Sequence, residues 1–105
     1  MRIVFDQGTP VPLRRQLVGH TITTAYEQGW ATLANGALLD AAERAGYEVL
    51  ITTDQNLRYQ QNLTARRLAL VVLQSTSWLR IRTQVAAIQA VLDTIAPGSY
   101  HEIAI

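Results

Sequence analysis

Apolar residues fall along this chain in short runs, each ending in a polar or glycine-marked break. Arg2-Ile3-Val4-Phe5 is a brief strand-like run that stops at Asp6, after which Gln7-Gly8-Thr9-Pro10 turns the chain. Val11 to Leu17 reads as a short helix carrying Arg14 and Arg15 and closed by Gly19. His20-Thr21-Ile22-Thr23-Thr24 reads as a threonine-rich strand nearer an edge. Asn35 is placed to cap a helix that sets Leu38, Leu39, Ala42 and Ala45 on one side and stops at Gly46. The stretch Val49-Leu50-Ile51-Thr52-Thr53-Asp54 is apolar and then abruptly polar, as expected of a buried parallel strand leaving the sheet at its carboxyl end. Gln55 to Arg67 is polar and reads as a short helix and loop. Leu68 to Leu73 is the most apolar run and predicts another buried strand. After a Ser75, Thr76 or Ser77 cap, Ile81, Val85, Ile88, Leu92 and Ile95 step by four and three, which predicts one long amphipathic helix. Pro97-Gly98 ends it, and Tyr100 to Ile105 forms a last strand.

This alternation of strands and helices predicts an α/β fold, a three-layer α/β/α sandwich around a mostly parallel five-stranded sheet. A chain of 105 residues with 49% hydrophobic content is long and apolar enough for one domain, residues 1–105, and is not of disordered composition. There is no cysteine, which removes disulfides and thiolate metal sites. No apolar run approaches the ~20 residues of a membrane span, and no signal-peptide pattern opens the sequence, so no membrane and a cytoplasmic location are expected. All nine basic residues are arginine, so any chemistry that needs lysine is excluded. The net charge of +1 neither demands nor forbids a nucleic-acid partner.

Parallel strands share a carboxyl edge, and that edge collects the polar residues. Asp6 follows the first strand, Glu27 lies beyond the second, and Asp54 follows the third, with Asn35 and Asn56 nearby in sequence. Gathered carboxylates repel unless a proton or cation shares them. Oxygen ligands without cysteine suit Mg²⁺ or Mn²⁺. Each of these residues also has a plainer reading. Asp54 and Asn35 fit as helix caps, Asp6 as the acid of an Asx-turn, and Glu27 as a solvated loop charge. Trp30 and Trp78 fit packing better than base stacking.

The ordered set of Asp6, Pro10, His20-Thr21-Ile22-Thr23-Thr24, Glu27-Gln28-Gly29 and Val49-Leu50-Ile51-Thr52-Thr53-Asp54 resembles the small bacterial PIN-like domains of the DUF5615 type. The resemblance covers nearly the whole chain. It implies a compact α/β sandwich and, through the PIN nucleases, metal-dependent cleavage of RNA, in some members as the toxin of a toxin–antitoxin pair. On that reading Asp6 and Asp54 hold Mg²⁺ or Mn²⁺, Glu27 orients the ion or its water, and Asn35 and Asn56 support them. Arg14 or Arg58 then neutralises the scissile-strand phosphate. The implied partners are RNA, an antitoxin protein and a second copy of the chain, the last through the long helix and final strand. The chain departs from the pattern in carrying Gln7 where a second acid often follows the first, Asn35 where an aspartate often opens the second helix, and Asn56 two residues after Asp54. Those amides favour an alternative, a catalytically degenerate PIN-like module that binds RNA or a protein. A phosphorylation-dependent receiver domain shares the alternation but needs paired acids after the first strand and a lysine, which this chain lacks.

Overall fold

The computed structural model describes residues 1–33, 35–57 and 65–105, and of Asn35 the backbone alone. Five strands, β1 (Arg2–Phe5), β2 (Thr21–Thr24), β3 (Val49–Thr52), β4 (Ala69–Leu73) and β5 (Tyr100–Ile103), form one sheet in the order β2-β1-β3-β4-β5. Every neighbouring pair is parallel, with Ile3 opposite Val49 and Ile51 opposite Val71. The fold is therefore the expected three-layer α/β sandwich, and its sheet is parallel throughout.

Register explains the two cores. Alternate residues of a strand face opposite sides, so Ile3, Phe5, Val49, Ile51, Val71 and Leu73 enter one cluster while Val4, Leu50 and Leu70 enter the other. β3 and β4 are buried at every position, because helices cover both faces. The edge strands β2 and β5 are only partly buried. The first cluster is roofed by a 3-10 helix, Val11–Gln16, through Leu13 and by the helical run from Trp78 to Thr94 through Ile81, Ile88 and Leu92. The second is roofed by α1 (Asn35–Arg44) through Leu38, Leu39 and Ala42. Gly46 ends α1 with φ 85°, a left-handed conformation that glycine adopts without strain.

Two expected helices differ in detail. The Val11 segment is a 3-10 rather than an α-helix, with no side-chain cap and a proline at its start that removes an amide from the ladder. The long helix is broken into α2 (Trp78–Ile81), a 3-10 turn at Arg82–Gln84, and α3 (Val85–Thr94). At the break the Thr83 hydroxyl donates to the Arg80 carbonyl at 2.6 Å, a side-chain bond that competes with the backbone ladder. Ser77 is the cap, its oxygen accepting from the Arg80 amide at 3.4 Å. Among the described residues no helix is long and apolar enough to cross a membrane.

Candidate functional site

In the order β2-β1-β3-β4-β5 the chain runs outward in opposite directions from β1 and β3, so a crevice opens beyond their carboxyl ends. Asp6 is the residue after β1, and Asp54 lies two residues after β3. Both line one small cleft of about 140 Å³, floored by Leu38, Leu50 and Leu57.

One hydroxyl joins them. Thr52, the last residue of β3, is 2% exposed; its Oγ1 donates to Asp6 Oδ2 and accepts the Asp54 amide at 3.0 Å. Asp6 Oδ1 is held from the other side by the Thr9 amide at 3.1 Å and lies 2.7 Å from the Thr9 hydroxyl, which is also 2.9 Å from the Ile51 carbonyl. Asp54 Oδ1 accepts the Asn56 amide at 3.0 Å. Each aspartate thus closes its own turn with Oδ1, the local role that the plainer readings gave it. A carboxylate offers about four lone pairs. Among the described residues, Asp54 Oδ2 and a remaining lone pair of Asp6 Oδ2 stay uncommitted, and no Arg or His pairs with either acid.

Glu27 occupies the other flank of Asp6. With Asp6, Arg14, Tyr26 and Val11 it lines a wider cleft of about 430 Å³ that Asp54 does not reach. Its Oε1 accepts the Thr24 amide at 2.9 Å and Arg14 Nη1 at 2.8 Å, while its own amide donates to Thr24 Oγ1 at 3.1 Å. Thr24-Ala25-Tyr26-Glu27 is therefore a reciprocal capping arrangement. The Thr24 amide first, and the Arg14 guanidinium next, hold the Glu27 carboxyl below its ordinary pKa. Arg14 is committed to this pair and to the Ile22 carbonyl at 3.4 Å.

Of the remaining expected residues, Asn56 is exposed and reaches the site through its amide. Arg58 and the side chain of Asn35 lie outside the described residues. Gln7 turns its side-chain amide to the Ala31 carbonyl at 3.0 Å, which leaves Asp6 without an adjoining acid. Among the described residues no three His, Cys, Asp or Glu side chains gather as a metal-binding group. Trp30 packs edge-on against Tyr47 with ring centroids 5.9 Å apart, and Trp78 packs against the first core. The residues unforeseen from sequence are Thr9, Thr52 and Tyr26. A hydroxyl closing an otherwise apolar strand was the available signal for Thr52.

The chain was compared with protein-family models, with curated proteins and with solved structures, and none of the three gave a match.

Proposed function

We propose that the chain is a Mg²⁺- or Mn²⁺-dependent ribonuclease of PIN-like type, with Asp6 and Asp54 holding the cation at the β1/β3 crevice. The observation that carries this reading is the shared cleft, lined by two acids from the ends of neighbouring strands, where the Thr52 hydroxyl donates to the Asp6 carboxylate and accepts the backbone amide of Asp54. The donor set fits a hard cation, since it is all oxygen and, among the described residues, keeps lone pairs free on both acids. Such a cation supplies Lewis-acid polarisation of a phosphodiester and activation of water. Thr9 and Thr52 fix the Asp6 carboxylate, the Asn56 amide orients Asp54, and the leucine floor limits solvent around both. A toxin role, and with it an antitoxin partner, rests on the resemblance alone.

The test is Mn²⁺ binding by calorimetry together with RNA cleavage, in wild type and in Asp6→Asn and Asp54→Asn variants checked for folding by circular dichroism. Each variant should lose at least the roughly 10- to 100-fold in affinity and activity typical of a partner one shell further from a metal. Equal cleavage by wild type and both variants assigns the activity to a contaminant and ends the proposal.

A second reading, a degenerate module that binds RNA or a protein partner, is favoured by one observation. The third carboxylate of the edge, Glu27, is bound to Arg14 and Thr24 on the far flank of Asp6. Absence of Mn²⁺ binding at millimolar concentration with intact RNA binding selects this reading over the first.

A further inference from the structure

Among the described residues, four large apolar side chains are strongly exposed, and two of them, Val11 at 52% and Tyr26 at 76%, line the same wide cleft beside Asp6. An exposed aromatic ring lining a cleft offers a flat apolar face on which a planar group can stack. The other side chains of that cleft narrow what the cover is. Arg14 and Glu27 neutralise one another at 2.8 Å, so the wall opposite Asp6 offers no net charge to a phosphate. Gln7, Thr9 and Thr24 add polar side chains to the lining, Gln7 with its Nε2 bonded to the Ala31 carbonyl. An uncharged flat group with hydrogen-bonding edges suits these walls, and the charged part of the same ligand belongs on the far side of Asp6. The volume of about 430 Å³ lies within the range of small-ligand sites.

We propose that this cleft seats one unpaired nucleobase of single-stranded RNA, stacked on the ring of Tyr26. The inference rests on RNA being the substrate, and it names the part of the substrate that the second flank of Asp6 takes. Asp6 lines both clefts, so a nucleotide whose base rests on Tyr26 leads its backbone past Asp6 toward Asp54. Stacking tolerates any base, so the cleft selects for single strand rather than for sequence.

The experiment is equilibrium binding of a short, fluorescently labelled single-stranded RNA with a phosphorothioate backbone, read by anisotropy in Mn²⁺. The proteins compared are wild type, Tyr26→Ala and Tyr26→Phe, with Mn²⁺ affinity measured on each by calorimetry. Tyr26→Ala should weaken RNA binding roughly 5- to 100-fold, and Tyr26→Phe should stay within about twofold of wild type because the ring face is kept. Both variants should retain the wild-type Mn²⁺ affinity. Unchanged RNA affinity in Tyr26→Ala, a loss in Tyr26→Phe as large as in Tyr26→Ala, or equal affinity for a fully paired duplex overturns the proposal. Failure of the cation reading is seen separately, as absent Mn²⁺ binding in the wild type. The side chain is exposed enough that its removal leaves both cores intact.

Discussion

At the amino edge of the sheet Arg66 places Nη1 2.8 Å from Asp40 and 2.9 Å from Glu43, while at the carboxyl edge Asp6 and Asp54 are met by hydroxyls and amides. The same amino edge carries Arg2, stacked 4.5 Å over the Tyr47 ring and donating to the Ala45 carbonyl at 2.7 Å. There, charge is answered by charge or by a π face. Burial opposes the Arg66 charge, but the Glu43 and Asp40 carboxylates outweigh it and raise its pKa. At the carboxyl edge two acids are oriented, and among the described residues no cationic side chain pairs with either. Hydrogen bonds from neutral donors fix where a carboxylate points without adding a positive charge, which is the arrangement the proposed cation site calls for. Cavity size alone does not separate the edges, since the amino edge has its own cavity of about 390 Å³ beside Glu43 and Arg67. What the side chains are bonded to does separate them.

If the two edges are independent, each can be damaged without the other. The largest effect is expected at Gly98, which sits at φ 72° and donates its amide to the Arg67 carbonyl at 2.8 Å. A Cβ there meets the Arg66 carbonyl oxygen at 2.6 Å. Gly98→Ala therefore combines left-handed strain with a backbone clash and should lower unfolding stability by about 3 kcal/mol in chemical denaturation. Mn²⁺ affinity of the folded variant should be unchanged. A parallel fall in both quantities breaks the separation between the edges.

Thr52→Val probes the other edge with a smaller penalty. It removes the hydroxyl that serves Asp6 Oδ2 and the Asp54 amide, and leaves two partly buried polar groups with one partner fewer. A loss of about 1–2 kcal/mol is expected. Mn²⁺ affinity should fall roughly 10- to 100-fold as Asp6 loses its orientation, and Thr52→Ser should restore both. A variant that loses stability and keeps full Mn²⁺ affinity reduces the threonine to a structural bond.

The sheet was legible in the sequence because a strand covered on both faces reads as an unbroken apolar run, and three of the five do. The meeting of Asp6 with Asp54 was legible because parallel strands share an edge. Strand order was not, since alternation says that helices cross over the sheet without saying in which direction. The 3-10 break at Arg82–Gln84 was hidden because apolar spacing continues across it, while the competing bond belongs to one threonine hydroxyl. The packing of Trp30 and Trp78 was legible, since each joins a core as expected, but the exposure of Tyr26 was not. Trp30, Trp78 and Tyr26 look alike in sequence, and only tertiary packing leaves the last one open. Thr24-Ala25-Tyr26-Glu27 did carry a spacing that marks a cap, and it accounts for Glu27 without any ligand.

Glu27 gives the finest test of the comparison, because by position it belongs to the carboxyl edge and by bonding it resembles the amino edge. Its pKa lies below the ordinary 4.5 first because the Thr24 amide donates to it and then because Arg14 does. When folding lowers a carboxyl pKa, the unfolded chain binds the proton more readily. The stability it contributes is therefore complete above the unfolded value and drains away as pH falls below 4.5 and through the folded one. Glu27→Gln removes that titration. The gap between wild-type and variant denaturation midpoints should hold steady above about pH 6 and close as the solution is acidified. The effect is small, since the pair is exposed and solvent screens it. Mn²⁺ affinity should not change, because Glu27 lines the cleft that Asp54 does not. A loss of Mn²⁺ binding in Glu27→Gln as deep as that in Asp54→Asn makes Glu27 a third ligand, and the line drawn between oriented and neutralised acids then runs through the wrong residue.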